Sequence, residues 1–250
     1  MTKQVAIVTG GGIGAAVARA FISQGTSVAI ADLDIGTARA LAKELSADGG
    51  SAVAVEVNVL SEESISSAVS EAIAHFGRVD FLVYTCGIII NAPALELSAA
   101  DWSRTLDTHL TGAFLFSKEV ARHMIQESGG RIVYMSSVAA QAPVPGRGAY
   151  SPAKAGLVSL AGVLSLEWAA YGINVNAVCP GVVATPATEA IYRRDPDLRT
   201  SRLKRMPSGR EVKPEEVGDL VLFLCSDRAA HISGAAIPID GSFLNNQFLV

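Results

Sequence analysis

Short apolar and β-branched runs recur along the chain at 5–8, 27–31, 52–55, 81–83, 131–135, 174–178 and 236–239. They are near-continuous rather than alternating, which predicts strands buried on both faces. Between them, apolar positions return every three or four residues over 13–24, 36–47, 62–76, 100–127, 150–171 and 214–225. That is the period of helices with one face turned inward. Strands alternating with helices predict βαβ units. Right-handed crossovers then build a doubly wound parallel sheet, an α/β fold of three layers. Ligands in such sheets bind beyond the carboxyl ends of the strands.

The chain has 250 residues, half of them hydrophobic, which suits one domain over 1–250 with a large core. Its net charge of −4 is spread without blocks, so neither nucleic acid nor an anionic membrane is expected as a partner. No apolar run is expected to span a bilayer. Thr2-Lys3-Gln4 leads straight into the first strand without the look of a signal sequence, so a cytoplasmic location is expected. Cys86, Cys179 and Cys225 are odd in number and lack metal spacing, which reads as reduced thiols and no metal site.

Candidate chemistry centres on Tyr150-Ser151-Pro152-Ala153-Lys154, with Ser137 thirteen residues before the tyrosine. A tyrosine and a lysine four apart share one helix face. The ammonium can then favour the phenolate. An unperturbed tyrosine titrates near about 10, and bringing it towards neutrality takes roughly 4 kcal/mol. Such a tyrosine can exchange a proton with a secondary alcohol or ketone, while Ser137 holds the same oxygen.

A second feature follows the first strand, where Thr9-Gly10-Gly11-Gly12-Ile13-Gly14 opens a helix. Glycines there let the backbone approach a pyrophosphate at the helix N-terminus, and Gly10, Gly12 and Ala15 fit G-x-G-x-x-G/A. The second strand ends at Asp32, whose carboxylate can accept both hydroxyls of an adenosine ribose and repels a 2′-phosphate. That favours NAD over NADP. Asp34 is the better candidate to cap the next helix.

With these residues assembled, the chain resembles the short-chain dehydrogenase/reductase family over essentially its full length. The resemblance rests on the glycine turn, Asp32, Gly87 after the fourth strand, Ser137, the Tyr150/Lys154 pair, Pro180-Gly181 after the sixth strand and Ile237-Pro238-Ile239-Asp240-Gly241 near the end. It implies a Rossmann-like fold with a nucleotide-binding first half and a catalytic second half. It implies a hydride carried by NAD, with Tyr150 as acid/base, Lys154 holding the ribose and lowering the tyrosine pKa, and Ser137 orienting the substrate oxygen. Gly10, Gly12, Ile13 and Gly14 would hold the pyrophosphate, and Asp32, Leu33, Asn58 and Val59 the adenosine. Thr85, Gly87, Pro180, Gly181, Val183 and Thr185 would border the nicotinamide side. The implied substrate is a small secondary alcohol or ketone, and the implied assembly a homotetramer or homodimer built on the two long helices and the tail 243–250.

The chain departs from the family in four places. The glycine turn lacks two residues between Gly10 and Gly12, whereas the helix pattern after it is intact. Two residues lost inside a helix would rotate a face by about 200°, so the turn itself must absorb the loss. A shorter cradle predicts weaker cofactor binding. The family's Asn-Asn-Ala-Gly reads Tyr84-Thr85-Cys86-Gly87, so bracing asparagines are missing. His109 stands at the position of the catalytic asparagine, either as a relay group titrating near neutral pH or as a buried histidine holding a helix kink. Asn58 replaces an aspartate, and its amide oxygen can still accept. The segment 184–210, a flexible flap over the substrate by resemblance, carries Arg193, Arg194, Arg199, Arg202, Lys204, Arg205 and Arg210. It reads either as a lure for an anionic or polyhydroxylated substrate or as a solvated helical face. Arg147 and Gln141 are expected near the pocket mouth. Two rival functions remain open: an inactive nucleotide-sensing relative, and an NADPH-dependent ketone reductase.

Overall fold

The computed structural model describes residues 3–47, 49–127 and 129–246. Its strands are β1 (Val5–Thr9), β2 (Ser27–Asp32), β3 (Ala52–Glu56), β4 (Phe81–Tyr84), β5 (Gly130–Met135), β6 (Ile173–Pro180) and β7 (Ala236–Ile239). They form one parallel sheet in the order β3-β2-β1-β4-β5-β6-β7. All seven expected strands are present, displaced by no more than two residues at an end. Every residue of β1 is buried, as its unbroken apolar run requires.

The helices are α1 (Gly12–Ser23), α2 (Ile35–Ala47), α3 (Glu62–Phe76), α4 (Ala99–Leu106), α5 (Gly112–Gln126), α6 (Tyr150–Trp168), α7 (Pro186–Arg194), α8 (Pro196–Lys204) and α9 (Pro214–Cys225). Phe21 of α1, Leu45 of α2 and Val221 of α9 cover one face of the sheet together with Ala6 and Val8. Val69 of α3, Phe116 of α5 and Leu157 of α6 cover the other, against Ile7 of the same strand. Alternate residues of one strand thus feed two cores. The chain winds outward from β1 to β3 and returns to lay β4 beside β1. The crevice at the carboxyl ends of β1 and β4 is therefore the topological switch point.

Helix α6 with its short extension, Tyr150–Tyr171, is long enough and apolar enough, at mean hydropathy 1.2, to cross a membrane. The sequence expectation that no run reaches this is corrected on length and composition alone. In this fold α6 packs against the sheet, burying Ala153, Lys154, Leu157 and Leu164. Its opposite face leaves Val163 and Leu166 exposed. The segment expected as a flap contains α7 and α8. The tail expected at a subunit contact is described to Asn246, and 247–250 lie outside the described residues.

The expected helix over 100–127 is broken. Between α4 and α5, Asp107–Thr111 forms a π-helical turn. The cause is a buried hydroxyl. Tyr84 Oη donates to the Thr108 carbonyl at 2.6 Å, occupying the acceptor that an unbroken helix would offer to Gly112. The Gly112 N–H bonds instead to the Asp107 carbonyl, one residue further back. Gly112 has to be glycine for this: a Cβ there would lie 2.5 Å from Tyr84 Oη. Tyr84 stands where the family has its first bracing asparagine.

Removing the hydroxyl in Tyr84→Phe strands a buried carbonyl. Urea unfolding is expected to show a loss of about 1–3 kcal/mol. A change within about 0.3 kcal/mol would show that this bond does not brace the turn.

Candidate functional site

A cleft of about 520 Å³ opens at the switch point. Gly10, with φ +68°, turns the chain out of β1 in a conformation that costs glycine least. Gly12 begins α1, so the first-turn amides have no intrahelical partner and face the cleft mouth. The missing two residues are absorbed in the turn, since α1 buries Gly14, Val17, Ala18 and Phe21 on one face as its pattern predicts. Gly12 is also pressed from outside: a Cβ there would sit 3.3 Å from Thr185 Cβ, at the foot of α7.

Asp32 borders the cleft at the end of β2, beside exposed Leu33. Its Oδ1 accepts the Asp34 N–H at 3.0 Å. Asp34 is the residue that caps α2, accepting from Gly36 N at 3.0 Å and from the Thr37 hydroxyl at 2.7 Å. Asp32 is thereby free of capping duty. Ile13, Asn58, Val59, Thr85, Gly87 and Thr185 also line the cleft. The Asn58 amide oxygen accepts the Leu60 N–H at 3.0 Å. Pro180 ends β6, with Gly181 and Val183 following it, and none of the three is among the cleft walls. There Gly181 N donates to Ile239 O at 2.9 Å, and Val183 bridges to Val212.

At the positions of the missing asparagines, Tyr84 and Thr85 make hydrogen bonds of their own. Thr85 N donates to Thr9 Oγ1 at 2.9 Å, and Thr85 Oγ1 donates to the Thr9 carbonyl. Those two bonds lock the end of β4 to the start of the glycine turn. Tyr84 braces the π-helical turn as described. The sequence signalled only a loss at these positions, because a hydroxyl in place of an amide does not announce its partner.

Tyr150, Lys154, Ser137 and His109 are not among the cleft walls; they join it through Gly87, which lies against the His109 ring, and through His109, which packs on Tyr150. Tyr150 begins α6, and the Ser137 side chain is close enough to its phenol to lower its pKa. Lys154, one turn on, is almost fully buried, and its Nζ donates to the Met135 carbonyl at 2.7 Å. Nζ lies 5.5 Å from the Tyr150 ring centroid. The Arg147 guanidinium lies 5.3 Å from the same centroid. Burial lifts the Tyr150 phenol above its ordinary value, while the Ser137 side chain and the Arg147 charge pull it down. The expectation that Lys154 brings this phenol down is corrected: burial wins, the net shift is upward, and the cation that opposes it is Arg147. Burial also lowers the Lys154 ammonium to about 8.

His109 is held inside the π-helical turn and is only 2% exposed. Its ring meets the Tyr150 ring edge-on, with centroids 5.4 Å apart. Nε2 lies 2.7 Å from the Ile88 carbonyl. The Ile88 N–H also approaches Nε2, at 3.1 Å, so the same ring nitrogen faces both backbone groups of Ile88. Nδ1 is buried without a protein partner among the described residues. A Cβ on Gly87 would overlap this ring, so Gly87 makes room for the histidine. The expectation that His109 titrates near neutral pH is corrected. Burial, with the Lys154 charge adding to it, pushes the imidazole down to about 3, so it is neutral in the folded chain.

Sequence reasoning missed the two carbonyls that position this group, Met135 for Lys154 and Ile88 for His109. A backbone acceptor carries no residue signature. It also missed Gly112, whose role exists only opposite Tyr84.

A family profile described as enoyl-(acyl carrier protein) reductase matches 7–243. The D-threitol dehydrogenase of Mycolicibacterium smegmatis is 39% identical over 243 residues, covering 96% of this chain and 92% of that protein. A 3-oxoacyl-(acyl-carrier-protein) reductase of Synechocystis is 36% identical and covers 98% of each chain. Among solved structures, a short-chain type dehydrogenase/reductase from Mycobacterium ulcerans superposes with a TM-score of 0.93 at 29% identity, covering 98% of this chain and 92% of that one.

The buried neutral histidine makes stability depend on pH. Unfolded, a histidine takes up its proton near about 6.5. Folded, His109 resists protonation down to about 3. Between these values the unfolded chain binds more protons, so stability is full above the upper value and declines as pH falls. At pH 5 the His109 share is about 2 kcal/mol relative to pH 7.5. Urea unfolding of wild type and His109→Asn at the two pH values should show this much less pH dependence in the variant; equal dependence would place the titrating groups elsewhere.

Proposed function

The chain belongs to the short-chain dehydrogenase/reductase family, whose dehydrogenases use nicotinamide cofactors, and we propose that it is an NAD(H)-dependent oxidoreductase interconverting a small secondary alcohol and a ketone. The observation that carries the reading is the meeting of Ser137, Tyr150 and Lys154 beyond the nucleotide cleft, with the lysine anchored by a backbone carbonyl. The residues present fit a nicotinamide dinucleotide. An acid lies at one end of the cleft, a bare glycine turn and helix N-terminus in the middle, and Thr85, Gly87 and Thr185 toward the tyrosine. When bound, the nicotinamide supplies a hydride acceptor or donor at the substrate carbon. Asp32 would accept the ribose hydroxyls and disfavour a 2′-phosphate, which selects NAD.

In this reading Ser137 holds the substrate oxygen, and Tyr150 takes its proton in oxidation and returns it in reduction. Lys154 and Arg147 favour the phenolate that this exchange requires. His109 enters as a neutral ring. It packs on Tyr150, with Nδ1 unpartnered among the described residues and so open to the proton path. The segment 184–210 is proposed as the flap that covers the substrate, with Thr185 at its foot on the glycine turn. The exposed apolar residues Phe114 on α5 and Val163 and Leu166 on α6 support assembly of two or four copies through these helices. A second reading, reduction of a ketone with NADPH, is favoured by the likeness to the Synechocystis reductase and opposed by Asp32. The inactive-relative reading is weakened by Tyr84 and Thr85, which make good the lost braces.

Titration with NADH and NADPH, followed by nicotinamide fluorescence, is expected to give at least about tenfold tighter binding of NADH. Equal affinities would remove the role of Asp32, and failure of both to bind would favour an inactive relative. Tyr150→Phe is expected to cut turnover of a secondary alcohol by at least about a hundredfold and to leave NADH affinity within about threefold. Substantial residual turnover would move the acid/base elsewhere.

A further inference from the structure

Charged side chains are expensive to bury unless they are paired. Among the described residues, four arginines are not fully exposed: Arg78, Arg131, Arg147 and Arg202. Arg78 is paired with Asp80 at 2.5 Å, and Arg131 with Asp227 at 3.9 Å and two backbone carbonyls. Among the described residues, Arg147 and Arg202 have no carboxylate within 4 Å, and Arg202 reaches only the Tyr192 hydroxyl, at 3.5 Å. They come from different segments. Arg147 precedes α6 and lies over the Tyr150 ring. Arg202 belongs to α8 and stacks on Tyr192. They are close enough for the Arg202 charge to act on Arg147.

The other basic residues of 184–210 are differently placed. Arg199 is shared by Glu189 and Glu211, Arg210 is held by Glu216, and Arg193, Arg194, Lys204 and Arg205 are exposed. The solvated-face reading suits those six. It does not suit Arg202. Arg147 also borders a hollow of about 330 Å³ with Pro143, Val144, Gly148 and Pro152. The Ser151 hydroxyl, on the same wall, is buried without a partner. A mostly apolar hollow with a few convergent, unsatisfied polar groups has the make-up of a ligand subsite.

We propose that Arg147, assisted by Arg202, binds an anionic group of the substrate, a carboxylate, sulfonate or phosphate lying a few bonds from the carbon processed at Tyr150. The proposal rests on the oxidoreductase reading for its placement beside Tyr150. A guanidinium presents paired N–H donors that match a carboxylate or phosphate, and in a half-buried site the bond is charge-assisted. An anion bound at Arg147 also offsets the Arg202 charge that is felt there.

The test compares pyruvate, acetoacetate and levulinate with their methyl esters, using NADH and constant ionic strength. The forms are wild type, Arg147→Gln, Arg147→Lys and Arg202→Gln. In wild type at least one acid should exceed its ester in kcat/KM. That ratio should fall at least about tenfold in Arg147→Gln, mainly through KM, fall less in Arg202→Gln, and be partly restored in Arg147→Lys. A wild type that prefers every ester, or a ratio unchanged in Arg147→Gln, overturns the proposal. Thermal shifts without NADH separate it from the oxidoreductase reading. Stabilisation of wild type by one of the keto acids beyond its ester and beyond chloride, lost in Arg147→Gln, supports the anion site even if nothing is turned over. No such stabilisation, together with no turnover of any acid, overturns it.

Discussion

The hydroxyl of Tyr84 on the carbonyl of Thr108 organises the far end of the cleft. It takes an acceptor out of the helical ladder, and the ladder answers by stepping one residue back. That step makes the π-helical turn, and the turn carries His109 to the Ile88 backbone and the edge of Tyr150. Gly112 and Gly87 are each bare because a side chain from this group fills the space beside them. The four positions form one mechanical unit. A change at any of them is felt at the tyrosine through packing rather than through charge.

The electrostatics around that tyrosine are a balance between burial and two cations. Burial disfavours both the phenolate and the neighbouring ammonium. Arg147 and Lys154 approach the same ring, one from the loop before α6 and one from inside it. Among the described residues neither is neutralised by a carboxylate, and the Arg147 charge is the one that pulls the phenol down. The histidine in the same pocket adds no charge, because its burial keeps it neutral.

Much of the fold was legible in the sequence. Unbroken apolar runs mark strands buried on both faces, and β1, β2 and β4 were readable for that reason. The helix over 100–127 was legible as a helix but not as a broken one. The break depends on a residue of β4, which the local periodicity does not contain. In the candidate site, side-chain chemistry and spacing single out Asp32, which lines the cleft, and Ser137, Tyr150 and Lys154, which lie together. The anchors are not singled out, since Met135 and Ile88 act through their backbones. The histidine was found but given a titrating character that its burial removes. A free-residue pKa is a poor guide wherever the fold sets the dielectric.

The contact between Lys154 and the Met135 carbonyl has a consequence for how the fold spends its charge. An aspartate in place of that carbonyl would fix the ammonium equally well, and it would also cancel the ammonium's field. A peptide oxygen anchors without neutralising. Because that oxygen belongs to β5, the lysine's position is tied to the register of the sheet, while the group that holds it leaves its charge uncancelled.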